Sequence, residues 1–61
     1  QLSAIILDQW VPGEHACELI AELRDRRPGL PILMLTASTS PLLAVEAMRA
    51  GATDYLVSLS R

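Results

Sequence analysis

The chain has 61 residues, of which 51% are hydrophobic, and its formal net charge is −2. This apolar content is too high for a disordered tail, and because a chain of this length buries only about 60% of its unfolded surface, it is one domain at most, or a part of one. Five basic residues stand against seven acidic ones, and no window gathers several basic residues without acids among them, so we expect no direct binding of nucleic acid by this segment.

Cysteine content and the length of the apolar runs exclude further classes. The single Cys17 cannot form an internal disulfide, and together with the single His15 it cannot complete a zinc site. The apolar runs are far shorter than the roughly 20 residues that cross a bilayer, and no basic-then-apolar leader opens the chain. We therefore expect a cytoplasmic protein with no membrane partner. Because the sequence begins at Gln1 and not at Met, we expect that it was trimmed or cut from something longer.

The first part of the chain predicts a strand and then a helix. Residues 3–7 are an apolar run that does not alternate, which is typical of a strand buried on both faces. Residues 11–13 (VPG) end it, and residues 14–26 change to a helical period with apolar and charged faces. Three arginines gather where this helix ends, and we expect them to form a solvated helix end favoured by the helix dipole. They are Arg24, Arg26 and Arg27.

The second part predicts a strand, a helix and a short strand. Residues 32–36 are again apolar without alternation. Ser40 is a candidate N-cap with Pro41 at the first helical position, and Gly51 fits a C-cap with positive φ. Residues 55–57 are a third strand candidate.

The order strand, helix, strand, helix, strand corresponds to two successive βαβ units, which form a three-stranded parallel sheet in an α/β fold. Right-handed crossovers that extend the sheet in one direction place both helices on the same face. The other face is then bare and the edge of the first strand is unpaired. We expect further chain or a second copy to cover them, with a homodimer through the exposed sheet edge as one outcome.

Three oxygen-bearing side chains follow the three predicted strands: Asp8, Thr36 and Ser58. Ligands of open parallel sheets bind beyond the carboxyl ends of the strands, so these side chains should share one rim. Asp8 could be a nucleophile or a cation ligand there, and Thr36 could donate to a phosphoryl oxygen. From spacing alone it is equally open that Asp8 only starts a turn and Thr36 only ends a strand.

Three blocks of the sequence resemble the second half of a response-regulator receiver domain. They are residues 7–13 (LDQWVPG), 33–37 (LMLTA) and 44–56 (AVEAMRAGATDYL), in the family's order and spacing. The resemblance implies a flavodoxin-like (βα)5 fold, of which residues 1–61 would be the part from the third to the fifth strand. It also implies a signal-receiver module of a two-component system, not an enzyme, whose partners are a histidine kinase and an effector domain that we expect to regulate transcription.

Carried over residue by residue, the resemblance implies that Asp8 is the phosphoacceptor. The Asp8 carboxylate and the backbone carbonyl of Trp10 would be ligands of Mg²⁺. Thr36 would bind a phosphoryl oxygen through its hydroxyl, and the small Ala37 beside it would leave room for that group. Tyr55 would be the aromatic residue whose rotamer reports phosphorylation.

The sequence departs from the family at two sources of positive charge. The family's acidic pair, which holds the metal, has no counterpart because the chain starts near the third strand. The family's lysine falls at Ser58, and the chain contains no lysine. Phosphoryl transfer depends on positive charge around the equatorial oxygens, and each lost interaction costs about 2–4 kcal/mol. We therefore expect this chain by itself to be phosphorylated inefficiently, with Mg²⁺ binding reduced.

Three alternatives stay open, of which the first is favoured by Ser58 in place of the family's lysine. The first is a pseudo-receiver that signals by protein contact without phosphorylation. The second is a phosphatase-like enzyme with Asp8 as nucleophile, although such enzymes usually carry a second acidic residue two positions later, where this chain has Trp10. A nucleotide-binding half-domain is less favoured because only Gly13 follows the first strand.

Overall fold

The computed structural model describes residues 3–7 and 13–58. The elements follow one another as β1 (Ala4–Leu7), α1 (Gly13–Arg26), β2 (Ile32–Thr36), α2 (Pro41–Ala50) and β3 (Asp54–Val57). The predicted β-α-β-α-β arrangement is confirmed, and each bound lies within one residue of its expected position. Neither α1 nor α2 has the length and apolarity needed to cross a membrane.

The sheet is parallel throughout, with the strand order β1-β2-β3. In the register of the central strand, Met34 stands beside Ile6 on one side and Tyr55 on the other. The backbone N–H of Ser58 donates to the carbonyl of Thr36 at 2.7 Å, which continues the pairing beyond the end of β3. The two crossovers therefore extend the sheet in one direction, as predicted.

The core lies between the helices and one face of the sheet. Its buried apolar members come from both helices, from β1 and β2, and from the turn after α2. They are Ile6, Ala16, Ile20, Ile32, Met34, Ala47 and Ala52. The small Ala16 and Ala47 allow α1 and α2 to approach each other and the sheet closely. We call the side formed by Ile6, Ile32, Met34 and Thr36 the covered face.

No described helix lies on the opposite side of the sheet. Ile5 is 62% exposed and Leu56 is 48% exposed, whereas Leu33 and Leu35 between them are half-buried by their neighbours. We call these four residues the open face. The expectation of a bare sheet face is confirmed for the residues that the structure describes.

Capping residues set the ends of α2 as predicted. The Ser40 Oγ accepts a hydrogen bond from the backbone N–H of Leu43 at 3.4 Å, and Pro41 is the first helical residue. Gly51 ends the helix with φ of +125°, and its N–H donates to the Ala47 carbonyl at 3.2 Å. A positive φ is strained for residues with a Cβ, so this position requires glycine.

The arginine cluster at the end of α1 differs from the expected solvated end. Arg26 is exposed and forms an i,i+4 ion pair with Glu22 at 3.1 Å, and Arg27 is also exposed. Arg24 is half-buried instead, and its Nε and Nη2 donate to the Gly51 carbonyl at 3.0 and 2.7 Å. The expectation is therefore correct for Arg26 and Arg27 and wrong for Arg24.

Candidate functional site

The carboxyl ends of β2 and β3 bring Thr36 and Ser58 side by side. Thr36 is 2% exposed, and its carbonyl receives the Ser58 N–H at 2.7 Å. β1 ends at Leu7, which is in register with Leu35, so the chain leaves β1 at the edge where Thr36 lies. Two of the three predicted rim residues are thus brought together.

Asp8 and Trp10 lie outside the described residues. Their predicted roles, phosphoacceptor for Asp8 and metal ligand for both, therefore remain predictions. Within the described ranges, no three His, Cys, Asp or Glu side chains come together as a group that could hold a metal ion. The hydroxyl and backbone groups found at this rim are not by themselves a Mg²⁺ site, because Mg²⁺ in proteins is usually bound through carboxylates together with water and phosphate oxygens.

The Thr36 hydroxyl is oriented by the loop that follows β2. Its Oγ1 accepts a hydrogen bond from the backbone N–H of Ser38 at 2.9 Å, and the Ser38 Oγ in turn accepts one from the Ser40 N–H at 3.1 Å. A hydroxyl that accepts one hydrogen bond still carries a proton to donate. Thr36 can therefore hold its place in the loop and donate to an anion. Ala37 beside it is exposed and adds only a methyl group to this rim.

Tyr55 reaches the same loop from β3. Its half-buried ring packs against the core, and its hydroxyl donates to the Ser38 carbonyl at 3.4 Å. Ser38 thus connects Thr36 through its N–H and Tyr55 through its carbonyl. We call Thr36, Ser38 and Tyr55 the hydroxyl cluster. A change at one member can reach the others through this shared peptide segment.

Ser38 was missed by sequence reasoning. The available signal was a small polar residue two positions after the strand-ending Thr36, a spacing at which a threonine oxygen can accept a local backbone N–H. That pattern is common in loops that have no ligand. Only the structure shows that the Ser38 carbonyl also faces Tyr55.

Ser58 stands where the resemblance expects a lysine. The side chain is half-buried just beyond the end of β3, and the Ser58 backbone N–H donates to the Thr36 carbonyl at 2.7 Å. In the part of the chain that the structure describes, no hydrogen bond or ion pair joins an arginine to Thr36 or Ser38. The two described rim residues, Thr36 and Ser58, thus bring hydroxyl groups to this site, and neither is cationic.

Cys17 is the single cysteine of the chain. It is half-buried on α1 and packs against the core. Burial raises the pKa of its thiol, and the Glu46 carboxylate raises this pKa further. The thiol is therefore kept in its unreactive protonated form, in agreement with a packing role.

Comparison with known proteins places these features in one family. The family model for the response regulator receiver domain matches residues 1–58. The chain is 47% identical over 55 residues to the response regulator protein FleR of Pseudomonas aeruginosa, which covers 90% of this chain and 12% of FleR. It is 35% identical over 52 residues to the DNA-binding transcriptional regulator NtrC of Rhizobium meliloti, covering 85% of this chain and 11% of NtrC. Both relatives are regulators by name, which favours a signalling module over the phosphatase alternative.

A solved structure shares the fold. It is a response regulator protein from Burkholderia pseudomallei with a phosphorylated aspartic acid, a calcium ion and citrate, and it is similar with a TM-score of 0.76 and 32% identity. The match covers 93% of this chain and 33% of that protein. The chain thus spans about a third of this neighbour and a smaller share of the curated relatives.

Proposed function

Because the chain belongs to the response regulator receiver domain family, we propose that it accepts a phosphoryl group from a histidine kinase on Asp8 and passes the signal to an effector domain. The observation that carries this proposal is the buried Thr36 hydroxyl at the carboxyl end of β2, beside the edge where the chain leaves β1. The transcriptional regulator NtrC among its relatives supports transcription as the effector's task.

Thr36 would bind an oxygen of the phosphoryl group on Asp8, and Ala37 would leave room for that group. In this arrangement the Thr36 hydroxyl donates to a phosphoryl oxygen. This hydrogen bond would draw the loop after β2 toward the phosphoryl group. The Ser38 peptide follows because its N–H donates to Thr36 Oγ1. Tyr55 would then change its position because its hydroxyl donates to the carbonyl of Ser38. This series of contacts supports Tyr55 as the switch residue.

We further propose that residues 1–61 are the part of a receiver domain from its third to its fifth strand. The open face supports this, since Ile5 and Leu56 are apolar residues of a kind that protein interiors bury. The match to only 33% of the solved neighbour agrees with it. An additional segment of chain that covers the open face would also supply the acidic pair with which the family binds its metal.

The metal of the proposed site would be Mg²⁺. Asp8, through its carboxylate, and Trp10, through its backbone carbonyl, are the ligands that this chain would provide. The ion would supply positive charge at the phosphoryl oxygens. Two oxygens fall short of the six that octahedral Mg²⁺ requires, so the rest would come from water, the phosphoryl group and the acidic pair.

A second function is favoured by Ser58. With no lysine in the chain, the site lacks the cationic side chain that normally stabilises charge in phosphoryl transfer. The chain would then act as a pseudo-receiver that signals by protein contact without phosphorylation. The two functions differ at Asp8, because Asp8→Ala should abolish signalling by a phosphorylated receiver and leave a pseudo-receiver active.

The experiment that tests the phosphoacceptor is intact mass spectrometry after incubation with acetyl phosphate and Mg²⁺. We expect a slow gain of one phosphoryl group by the wild-type chain, none by Asp8→Asn, and wild-type behaviour for Asp25→Asn, a matched exposed acid on α1. Ser58→Lys should accelerate the reaction by roughly 30- to 1,000-fold, because it restores one charge interaction.

Each outcome decides one part of the proposal. A phosphoryl group that still appears on Asp8→Asn would show that Asp8 is not the acceptor. Rapid stoichiometric modification of the wild-type chain would contradict the expected inefficiency. No modification even of Ser58→Lys would contradict phosphorylation of this chain by itself and would favour the pseudo-receiver.

A further inference from the structure

The two ends of α2 are held by contacts of different strength. At the C-terminal end, Gly51 accepts two hydrogen bonds from Arg24 at 3.0 and 2.7 Å. At the N-terminal end, the Ser40 side chain accepts from Leu43 at 3.4 Å, and the Ser40 carbonyl accepts from Ala44 at 3.4 Å. Charged guanidinium bonds of 2.7–3.0 Å are roughly twice as strong as neutral ones, so the C-terminal end is the firmly held one.

Arg24 connects more than two elements. Its Nη1 donates to the carbonyls of Arg27 and Pro28, at 3.2 and 2.8 Å, just beyond the end of α1. Its Nε and Nη2 donate to Gly51 at the end of α2, and Nη2 also approaches the Thr53 hydroxyl at 3.3 Å. One guanidinium thus caps carbonyls at the C-terminal ends of two helices, where the helix dipoles favour positive charge.

The same contact continues into the sheet. The Thr53 Oγ1 accepts the backbone N–H of Ile32 at 3.0 Å, and the Thr53 N–H donates to the Ile32 carbonyl at 2.7 Å. The segment that Arg24 holds is therefore also bonded to the start of β2. The turn at residues 51–53 is thus bonded to α1 and to β2, and both of these elements contribute buried residues to the core, Ile20 and Ile32.

Gly51 is fitted closely to the arginine stem. A Cβ built on Gly51 would lie 2.8 Å from the Cγ and 2.9 Å from the Cβ of Arg24. The absence of a side chain at Gly51 lets the stem pass over the backbone and the guanidinium reach the carbonyl. A lysine stem could follow the same path, but a single ammonium cannot reproduce the planar fork that serves several carbonyls at once.

We propose that Arg24 makes the C-terminal end of α2 a fixed hinge point, so that movements of α2 are carried by its N-terminal end and by residues 37–40. The moving end of the helix would then lie directly beside the hydroxyl cluster, where the hydrogen bonds of Ser38 and Ser40 within residues 13–58 join them to their own loop, to the start of α2 and to Tyr55. The inference rests on the proposed function in one respect, since phosphorylation of Asp8 would trigger the movement. The difference in how firmly the two ends of α2 are held does not depend on that function.

The test is amide hydrogen exchange of the full chain in its unphosphorylated form. In the wild-type protein we expect residues 51–53 to exchange at least about tenfold more slowly than residues 37–40. Arg24→Lys should speed exchange of residues 51–53 by about tenfold, because the local opening of a turn sets the exchange rate of its amides, and should leave residues 37–40 unchanged. Arg26→Lys is the matched control, since Arg26 is exposed and its ion pair with Glu22 lies within α1, and it should change neither segment.

Several results would overturn the proposal. Equal exchange of the two segments in the wild-type protein would show that α2 has no fixed end. Unchanged exchange of residues 51–53 in Arg24→Lys would show that the fork does not hold the turn, and faster exchange spread evenly over the chain would show that Arg24 only adds to overall stability. Arg24→Gln is a second variant that keeps a donor and removes the charge. If both variants unfold, the wild-type comparison still tests whether the C-terminal end of α2 is the more firmly held one, and equal exchange would overturn the proposal.

A final arm separates the hinge from the phosphorylated function. The exchange pattern of unphosphorylated Asp8→Asn should match that of the wild-type chain, because the hinge does not depend on the acceptor. Addition of acetyl phosphate and Mg²⁺ to the wild-type chain should change exchange in residues 36–45 and leave residues 51–53 as they were. A failure confined to this last step would count against phosphorylation, whereas a change confined to residues 51–53 would count against the hinge.

Discussion

Ile5 and Ile6 are neighbours of the same residue type in β1, yet their surroundings are opposite. Ile6 is 5% exposed against the helices, whereas Ile5 is 62% exposed on the other side of the sheet. Both side chains are part of the apolar run that predicted a strand buried on both faces. The comparison shows that these strands carry apolar residues on both faces of the sheet, whereas the described helices cover one face.

The largest difference between the faces should appear when a large side chain is truncated in β2. Met34 is fully buried on the covered face and Leu33 is half-buried on the open face. We expect Met34→Ala to lower the free energy of unfolding by about 2–5 kcal/mol through lost burial and a residual cavity. Leu33→Ala should cost about 1 kcal/mol. Urea denaturation followed by circular dichroism measures both.

A domain of this size is stable by only about 3–9 kcal/mol, so Met34→Ala can approach complete unfolding. Ile6→Val and Ile5→Val provide a milder pair with one methylene removed from each. The first should cost about 0.5–1.5 kcal/mol and the second almost nothing. Equal costs within either pair would contradict the difference between the faces.

The next largest effect concerns the polar member of the covered face. Thr36→Val keeps the shape of the side chain but leaves the Ser38 N–H without the acceptor that it has at 2.9 Å. We expect a loss of about 1–2 kcal/mol in the free energy of unfolding. Thr39→Val is the matched control because Thr39 is exposed in the same loop, and Thr36→Ser should retain most of the stability. A loss equally large for Thr39→Val would show that the loop, and not the Thr36 hydroxyl, is responsible.

Local signals predicted the elements well, because each boundary has its own residue chemistry. Pro41 starts α2 where its missing N–H costs nothing, and Gly51 ends it with φ of +125°. The one-sided covering also followed from the order of the elements, since right-handed crossovers in one direction leave no choice of face.

The contacts that could not be predicted join residues far apart in the chain. Arg24 and the Gly51 carbonyl are 27 residues apart, and no periodicity or cap signal of either segment indicates that they meet. Tyr55 and Ser38 are likewise 17 residues apart. In the candidate site, the predicted Thr36 and Ser58 are brought together because strand ends are set by local pattern, whereas the connection through Ser38 depends on tertiary geometry.

A smaller effect on stability is expected from Cys17 on α1, which interacts with Glu46 on α2. Burial and Glu46 raise the pKa of the Cys17 thiol in the folded chain. A raised pKa means that the folded state binds the thiol proton more tightly than the unfolded state does. The stability that the protonated thiol contributes is therefore complete below the unfolded pKa of about 8.5, and it is lost as the pH rises through the folded pKa. We expect the urea midpoint of the wild-type chain to fall more steeply above about pH 8.5 than that of Cys17→Ala. Glu46→Gln should have a slope between the two, and parallel pH profiles of wild type and Cys17→Ala would contradict the prediction.

The smallest effect on stability, and the most informative one about the open face, should come from replacing its exposed apolar residues. Ile5→Thr keeps β-branching and Leu56→Thr introduces it, so the strands retain their preference while the face becomes polar. We expect each change to alter the free energy of unfolding by no more than about 0.5 kcal/mol, because neither side chain contributes much to the core. Both should reduce self-association, since an apolar face that stays exposed favours contact with a second copy.

Sedimentation velocity at two concentrations distinguishes how copies would associate. A wild-type dimer that the double variant Ile5→Thr/Leu56→Thr converts to a monomer would assign the association to the open face. A dimer that persists in the double variant would assign it to the unpaired edge of β1, through which the sequence predicts a homodimer. A compact wild-type monomer with cooperative unfolding at both concentrations would contradict both, because it would show that one covered face is enough to hold these three strands together.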